Sequence, residues 1–100
     1  MATPSAPANV AVRPGLNPGD VIVEWDAVTA VPTVDYYTAY IAHATGVDST
    51  SAYSASRKTT GLKAIFRGKD TWAAVYATVT ATNADDTSAD ATEASGKSRR

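Results

Sequence analysis

Few side chains in this sequence could do chemistry, and His43 is the one histidine among them. A Ser-His-Asp triad would have to pass through His43, with Asp35 and Asp48 as the carboxylates available to orient its ring. A lone histidine just after a predicted strand is more often an inert surface residue, and the sequence brings no nucleophile and base together. We therefore predict that the protein is not an enzyme.

Three aspartates near the C-terminus, Asp85, Asp86 and Asp90, suggest a calcium site, because hard cations bind several carboxylate and carbonyl oxygens. Their spacing lacks the alternating Asp or Asn positions of a calcium-binding loop. The stretch from 83 to 86 has instead the composition of a solvated turn. We predict a turn here, no metal site and no cofactor.

Two short motifs resemble functional ones. The SGKS of residues 95–98 is similar to the end of a phosphate-binding loop, but Ala91 stands where the first glycine should be, and no helix follows. The RGKD of residues 67–70 is similar to an adhesion tripeptide with Lys69 inserted. We interpret the first as unrelated to phosphate and the second as a plain turn.

The charge balance argues against nucleic acid as a partner. Nine basic residues stand against ten acidic ones, a formal net charge of −1, so no overall field attracts a polyanion. Lys97, Arg99 and Arg100 form a basic tail, but three charges without aromatic stacking partners are a weak signal for nucleic acid. We predict no nucleic-acid binding.

Several classes of protein are excluded by what the sequence lacks. It has no cysteine, which excludes disulfides, thiolate metal sites and a cysteine nucleophile. No apolar run approaches the roughly 20 residues of a membrane span, and the first ten residues have neither the basic nor the apolar region of a signal peptide. We predict no membrane insertion and no signal peptide in this chain.

The elements that must position these residues form one small domain. A chain of 100 residues suffices for one core and is too short for two. Leu, Ile, Val and Phe contribute 16 residues, while two Trp and five Tyr add large apolar area. The composition predicts a globular domain with a thin core of Val, Ala and aromatic residues.

The apolar residues recur with a period of two, which is typical of strands with one buried face. Such segments occur at 10–12, 21–25, 34–42, 52–56, 60–66, 72–83 and 87–94. Seven short strands without a convincing helix predict an all-β, seven-stranded antiparallel sandwich. The residues predicted to face the core are Val21, Val23, Trp25, Tyr37, Ile41, Val75 and Val79.

The ends of the chain differ from its middle in composition. Pro4 and Pro7 lie among small residues, which favours an extended opening, and the last residues are small and polar. We predict a Pro-rich arm over 1–7, the sandwich over 8–95 and a flexible basic tail over 96–100.

Four of these segments together resemble the fibronectin type III domain. The opening PSAPANVAV resembles the family's entry to the first strand, and VIVEWDAV resembles its second strand, with Trp25 at the position of the core tryptophan. The alternation from Tyr37 to Ile41 resembles the third strand, and that from Val75 to Asn83 resembles the sixth. The resemblance covers nearly the whole chain and implies an immunoglobulin-like sandwich.

The sequence departs from the family before the sixth strand. The family has a Leu, a Pro-Gly turn and then a Tyr whose hydroxyl fixes this corner, whereas this chain offers Leu62 or Phe66 followed by RGKDTW. Counting back from Asn83 puts Val75 at the tyrosine position, with Trp72 and Tyr76 on the opposite parity. Either a bulge shifts the register or the corner is absent.

The parity of the strands leaves several tyrosines pointing outward. If Tyr37 and Val75 face the core, then Tyr36, Tyr40 and Tyr76 face solvent, with Tyr53 on the neighbouring edge. Exposed tyrosine is enriched in binding surfaces, and cross-strand aromatic and Thr pairs also stabilise a sheet without binding anything. These four tyrosines are the candidate interaction face.

The functional expectation is a structural or protein-interaction module with a protein partner. Taken as a complete chain beginning at Met1, it fits a bacteriophage virion component, a capsid decoration or tail appendage bound to a shell or tail protein and located in the virion. The alternative is a spacer or adhesive module from a secreted or cell-surface protein, such as a bacterial glycosidase, with neighbouring domains as partners. A designed binder on this scaffold is a third setting, and homo-oligomerisation stays open.

Overall fold

The computed structural model describes residues 4–30, 33–43, 46–48, 53–67, 74–84 and 86–99. In these ranges the chain forms strands and turns, and no helix that could span a bilayer occurs there. The strands are β1 Ala11–Pro14, β2 Val21–Glu24, β3 Tyr36–Ala42, β4 Ala55–Thr59, β5 Lys63–Phe66, β6 Ala74–Thr82 and β7 Ala94–Lys97.

The strands assemble into two antiparallel sheets. One sheet has three strands in the order β1-β2-β5, and the other has four in the order β4-β3-β6-β7. The two sheets enclose one apolar core between them. The predicted all-β, seven-stranded sandwich is confirmed.

The core lies where the alternation placed it. All seven residues predicted to face inward are buried, and Val23 and Val79 are fully so. The rings of Trp25 and Tyr37 meet with their centroids 5.7 Å apart. Alanines fill much of the remaining space, since Ala39, Ala77 and Ala81 are all completely buried. The core is therefore thin in side-chain volume, and its large members are the aromatic residues.

Two strands are displaced from the prediction, and β5 begins at 63 instead of 60. The fourth occupies 55–59 instead of 52–56, residues 51 and 52 lying outside the described ranges, and the last occupies 94–97 instead of 87–94. Residues 87–93 run beside β6 with an irregular register, in which Ser88 N–H donates to Ala81 O and Ala91 N–H to Val79 O. Side-chain hydroxyls compete with a regular ladder in this segment: Thr78 Oγ1 donates to Ala91 O, and Ser88 Oγ accepts from Ala81 N–H.

The described chain stays packed against the sandwich up to Arg99, beyond the domain boundary predicted at residue 95. Ser98 is only 2% exposed. Arg99 N–H donates to Asp20 O, and Arg99 O accepts from Gly19 N–H. At the other end, residues 4–7 form no strand, but Pro4 and Pro7 are buried. The sandwich thus continues into what looked like a tail, because backbone pairing does not require apolar side chains.

The register of β6 places Val75 where the resemblance expects a tyrosine. The pairing of β3 with β6 runs without interruption from Tyr36↔Thr82 to Ala42↔Tyr76, so no bulge shifts the register there. Val75 consequently points inward and is 1% exposed. Trp72 lies outside the described ranges. Phe66 is buried while Leu62 is 44% exposed, so Phe66 is the apolar residue that closes β5.

Candidate interaction face

The outer side of the four-stranded sheet carries the predicted tyrosines. Side chains alternate along a strand, and Tyr37, Ala39 and Ile41 occupy the core, so Tyr36 and Tyr40 lie on the opposite side. Across the β3–β6 ladder, Tyr40 pairs with Thr78 and Ala42 with Tyr76. Together with Tyr53, these residues form what we call the tyrosine face: Tyr36, Tyr40, Tyr53 and Tyr76.

Two contacts near β4 fix the positions of rings on the tyrosine face. Tyr40 and Tyr53 meet edge-on with ring centroids 5.0 Å apart, a geometry favoured by the ring quadrupoles. Lys58 Nζ lies 4.8 Å from the centre of the Tyr36 ring, within the range of a cation–π contact. Tyr36, Tyr40 and Tyr76 are half-buried and Tyr53 is 40% exposed. The rings are therefore held in place and still reach solvent.

Buried threonines lie between the tyrosines on the β3–β6 ladder. Thr38, Thr78 and Thr80 are at most 6% exposed. The Thr80 hydroxyl oxygen has no hydrogen-bond partner within the described part of the chain. Tyrosine beside threonine across strands is the arrangement by which such pairs stabilise a sheet, so the face has a structural role as well as an exposed aromatic surface.

The triad considered for His43 does not assemble with Asp35. Asp35 precedes β3 and His43 follows it, so they are roughly 25 Å apart along the extended strand. His43 is exposed, with Nδ1 3.3 Å from Ala74 O, and Asp48 is half-buried elsewhere in the chain. In the described ranges no three His, Cys, Asp or Glu side chains are grouped so that they could hold a metal ion.

The acidic stretch after β6 forms a turn held by its own side chains. Asn83 Oδ1 accepts from Asp86 N–H at 2.9 Å, and Asp86 Oδ1 accepts from Thr87 N–H at 2.8 Å. Asp85 lies outside the described ranges, and Asp90 is exposed. The amide oxygen of Asn83 and a carboxylate oxygen of Asp86 therefore accept hydrogen bonds from the backbone of the turn, as is usual for turn residues.

The glycine of the SGKS motif has a packing role. Gly96 lies in β7 against β1, where an added Cβ would overlap Val12 O and stand 3.0 Å from Val12 Cβ. Lys97 belongs to β7, and Arg99 is paired with the backbone of Gly19 and Asp20. The motif is thus part of a strand that needs a residue without a side chain at this point.

Of the remaining basic residues singled out by sequence, the structure describes Arg67. Arg67 of the RGKD motif is exposed, with Nη1 4.0 Å from Asp20 Oδ2, while residues 68–70 lie outside the described ranges. Arg100 lies outside them as well. Ser95 of the SGKS motif pairs with Tyr76 across the β6–β7 ladder, so this motif borders the tyrosine face.

Two features escaped the sequence reasoning. The carboxylate of Glu93 accepts hydrogen bonds from Gly46 N–H at 2.7 Å and Val47 N–H at 3.2 Å, a contact between distant segments that no local pattern reveals. Arg57, Lys58 and Lys63 gather on β4 and β5. A signal for this second feature existed, because residues 49–69 contain five Lys or Arg and no Asp or Glu.

Solved structures similar to this chain share its sandwich. "FN3tt" matches with a TM-score of 0.73 at 21% identity, covering 97% of this chain and 96% of that one. A Fn3-like protein from Clostridium thermocellum matches with a TM-score of 0.74 at 16% identity, covering 97% and 95%. The chicken CNTN1 FN1-FN3 domains match with a TM-score of 0.71 at 16% identity, covering 98% of this chain and 30% of that one.

The sequence itself matches no family model and no curated protein. At identities of 16% to 21%, these structural matches show the fold alone. The chain has a fibronectin type III fold, with the strand order β1-β2-β5 facing β4-β3-β6-β7.

Proposed function

We propose that this domain is a non-enzymatic structural and protein-interaction module, and that the tyrosine face is its contact surface. The observation that carries the proposal is the presence of four partly exposed tyrosines on the outer side of one sheet. Tyrosine supplies large contact area at low cost in side-chain entropy and is enriched in protein interfaces. Domains with this fold typically act as interaction or structural modules.

The setting we propose first is a bacteriophage virion, with the domain as a capsid decoration or tail appendage and a shell or tail protein as its partner. Its support is the resemblance at the level of the fold, because fibronectin-like and immunoglobulin-like domains occur in such positions.

The second setting is a module within a secreted or cell-surface protein, such as a bacterial glycosidase, with neighbouring domains as partners. One observation favours it: the match to the chicken CNTN1 FN1-FN3 domains covers 98% of this chain but only 30% of that one. A chain of this fold can therefore be one unit among several.

The intact mass of the protein in its natural source separates the two settings. A mass near 10.4 kDa in purified particles supports the virion. A much larger mass, or the 10.4 kDa species found only outside particles, contradicts it and favours the module.

Footprinting with hydroxyl radicals tests the contact surface itself. The native assembly is compared with the isolated domain, and we expect Tyr36, Tyr40, Tyr53 and Tyr76 to become protected in the assembly. Leu16 is the internal control because it is 79% exposed and lies in the β1–β2 turn. Equal labelling of the tyrosines in both samples would overturn the proposal.

Substitutions then separate binding from folding. Tyr36→Ala and Tyr40→Ala should leave the fold nearly intact and weaken partner binding, with Leu16→Ala as the matched control that leaves binding unchanged. A large loss of stability in either tyrosine variant would instead assign its ring to sheet pairing.

A further inference from the structure

Strand β4 has one unpaired edge. It pairs with β3 from Tyr37↔Thr59 to Ile41↔Ala55, and it is the terminal strand of its sheet. No other strand of the described ranges pairs with β4. Its outer row of N–H and C=O groups is therefore available to an added strand, which is the usual basis of strand addition.

This edge carries a cation on each side of the sheet. Arg57 is opposite Ala39, on the side that faces the core, and Lys58 is opposite Thr38 on the outer side. Both are exposed, which means that β4 extends past the core. Within the described ranges neither they nor Lys63 of β5 forms an ion pair with a carboxylate.

Apolar side chains are exposed beside the same edge. Four large apolar side chains are exposed among the described residues. Three of them lie near this edge: Tyr53 just before β4, Leu62 just after it and Ile65 within β5. These three side chains therefore lie on the β4–β5 side of the sandwich. Unpaired backbone groups, cations without a carboxylate partner and exposed apolar side chains thus coincide on one side of the sandwich.

We propose that the β4 edge is a docking site for an extended acidic segment of a partner protein, which adds to the sheet as a strand. This inference rests on the proposed interaction function and names the chemistry of the partner. Because Arg57 and Lys58 are adjacent and point to opposite sides, the added strand meets both when it carries two consecutive acidic residues. β-Branched neighbours would extend it and contact Tyr53 and Leu62.

Two other occupants fit the edge less well. A second copy adding through its own β4 would bring Arg57 and Lys58 of each chain together, and like charges on paired strands are destabilising. An anionic lipid surface would satisfy the cations and the apolar groups, but it would leave the backbone groups of the edge without partners in an apolar medium.

The experiment titrates ¹⁵N-labelled protein with a blocked peptide in which two consecutive glutamates are flanked by Val and Thr. The matched peptide has two lysines in their place. We expect the acidic peptide to shift the amides of 55–59 and to slow the exchange of alternate ones, with affinity about tenfold above that of the lysine peptide at low salt and a smaller ratio at high salt.

Charge reversal in the protein supplies the matched variants. Lys58→Glu should weaken binding of the acidic peptide several-fold. Lys97→Glu should not, since Lys97 is an exposed lysine at the opposite edge of the same sheet and its reversal changes the net charge equally. Thermal unfolding of both variants verifies that they are folded.

Several results would overturn the inference. Equal affinity for the two peptides, shifts away from 55–59, or equal effects of Lys58→Glu and Lys97→Glu would each do so. So would an Arg57→Glu/Lys58→Glu variant that dimerises without binding peptide, since the cations would then serve only to prevent self-pairing. Binding to phosphatidylserine vesicles in place of the peptide would identify a lipid site. If the edge fails while the tyrosines are protected in the native assembly, the proposed function stands and this inference falls.

Discussion

The two sides of the sandwich, where the sheets meet edge to edge, are built differently. On the closed side, β7 lies so near β1 that Gly96 has no room for a side chain beside Val12, and the backbone of Arg99 pairs with Gly19 and Asp20. On the open side, four of the five residues of β4 are exposed, and Arg57 is exposed although it faces the core side.

The difference shows how one small core can support an exposed edge. The close approach of β7 to β1 and the backbone pairing of Arg99 with the 19–20 segment close this side with little side-chain volume, so the sandwich does not depend on β4 for closure. β4 is then free to carry charge and an unpaired edge. The variants below test this division, in order of decreasing expected effect.

Trp25→Ala measures how much a large side chain of the common core contributes to the stability of the domain. Trp25 is 4% exposed and contacts Tyr37, and truncating a large buried aromatic residue costs about 3 to 5 kcal/mol. Since a domain of this size has only about 5 to 15 kcal/mol of stability, the variant should be largely unfolded. Chemical denaturation measures the loss, and a variant as stable as the parent would show that Trp25 is not a core residue.

Gly96→Ala and Gly61→Ala make the same change on the two sides. At Gly96 the new methyl group would overlap the Val12 carbonyl, and we expect a loss of about 2 to 3 kcal/mol from overpacking. At Gly61 the nearest atom is Thr59 Oγ1 at 3.6 Å, so the change should be near zero or slightly stabilising. Equal melting temperatures for the two variants would remove the distinction between closed and open sides.

Removal of residues 98–100 tests how much the backbone hydrogen bonds of the closed side stabilise the domain. It eliminates the two hydrogen bonds between Arg99 and the 19–20 segment, and we expect a loss of about 1 to 2 kcal/mol. The control is Arg99→Ala, which keeps the backbone pair and loses only a 3.4 Å contact to Gly15 O. If the truncated protein is as stable as the Arg99→Ala variant, the end of the chain is a tail after all.

Thr78→Val and Thr80→Val separate a used hydroxyl from an unused one. Thr78 Oγ1 donates to Ala91 O at 2.8 Å and joins β6 to the segment that leads into β7, so its loss should cost about 1 kcal/mol. The Thr80 hydroxyl is buried without a partner in the described ranges, so Thr80→Val should be neutral or stabilising by up to about 1 kcal/mol. Thermal melts of both variants measure these changes in stability. If Thr80→Val is the more destabilising of the two, the Thr80 hydroxyl makes the stabilising hydrogen bond and the Thr78 hydroxyl does not.

Much of the fold could be predicted from the sequence, and the errors fall in one class of segment. Strong alternation in 21–25, 34–42 and 72–83 predicted the central strands, because burial on one face forces a period of two. The prediction placed the edge strand at 55–59 three residues too early and began the one at 94–97 seven residues too early, since these strands bury little and therefore leave a weak pattern. The outward parity of Tyr36, Tyr40 and Tyr76 followed from the same rule.

What the sequence by itself determined is which residues face inward, because that depends only on alternation and on the cost of exposing apolar area. Only the tertiary structure decided which edges meet. Three contacts join residues far apart in the chain: Gly96 with Val12, Arg99 with Asp20, and the Gly46 N–H with the Glu93 carboxylate that accepts from it. Such contacts are made by backbone and polar groups, which produce no periodic pattern in the sequence. Only the tertiary structure therefore shows which side of the sandwich is closed and which is open.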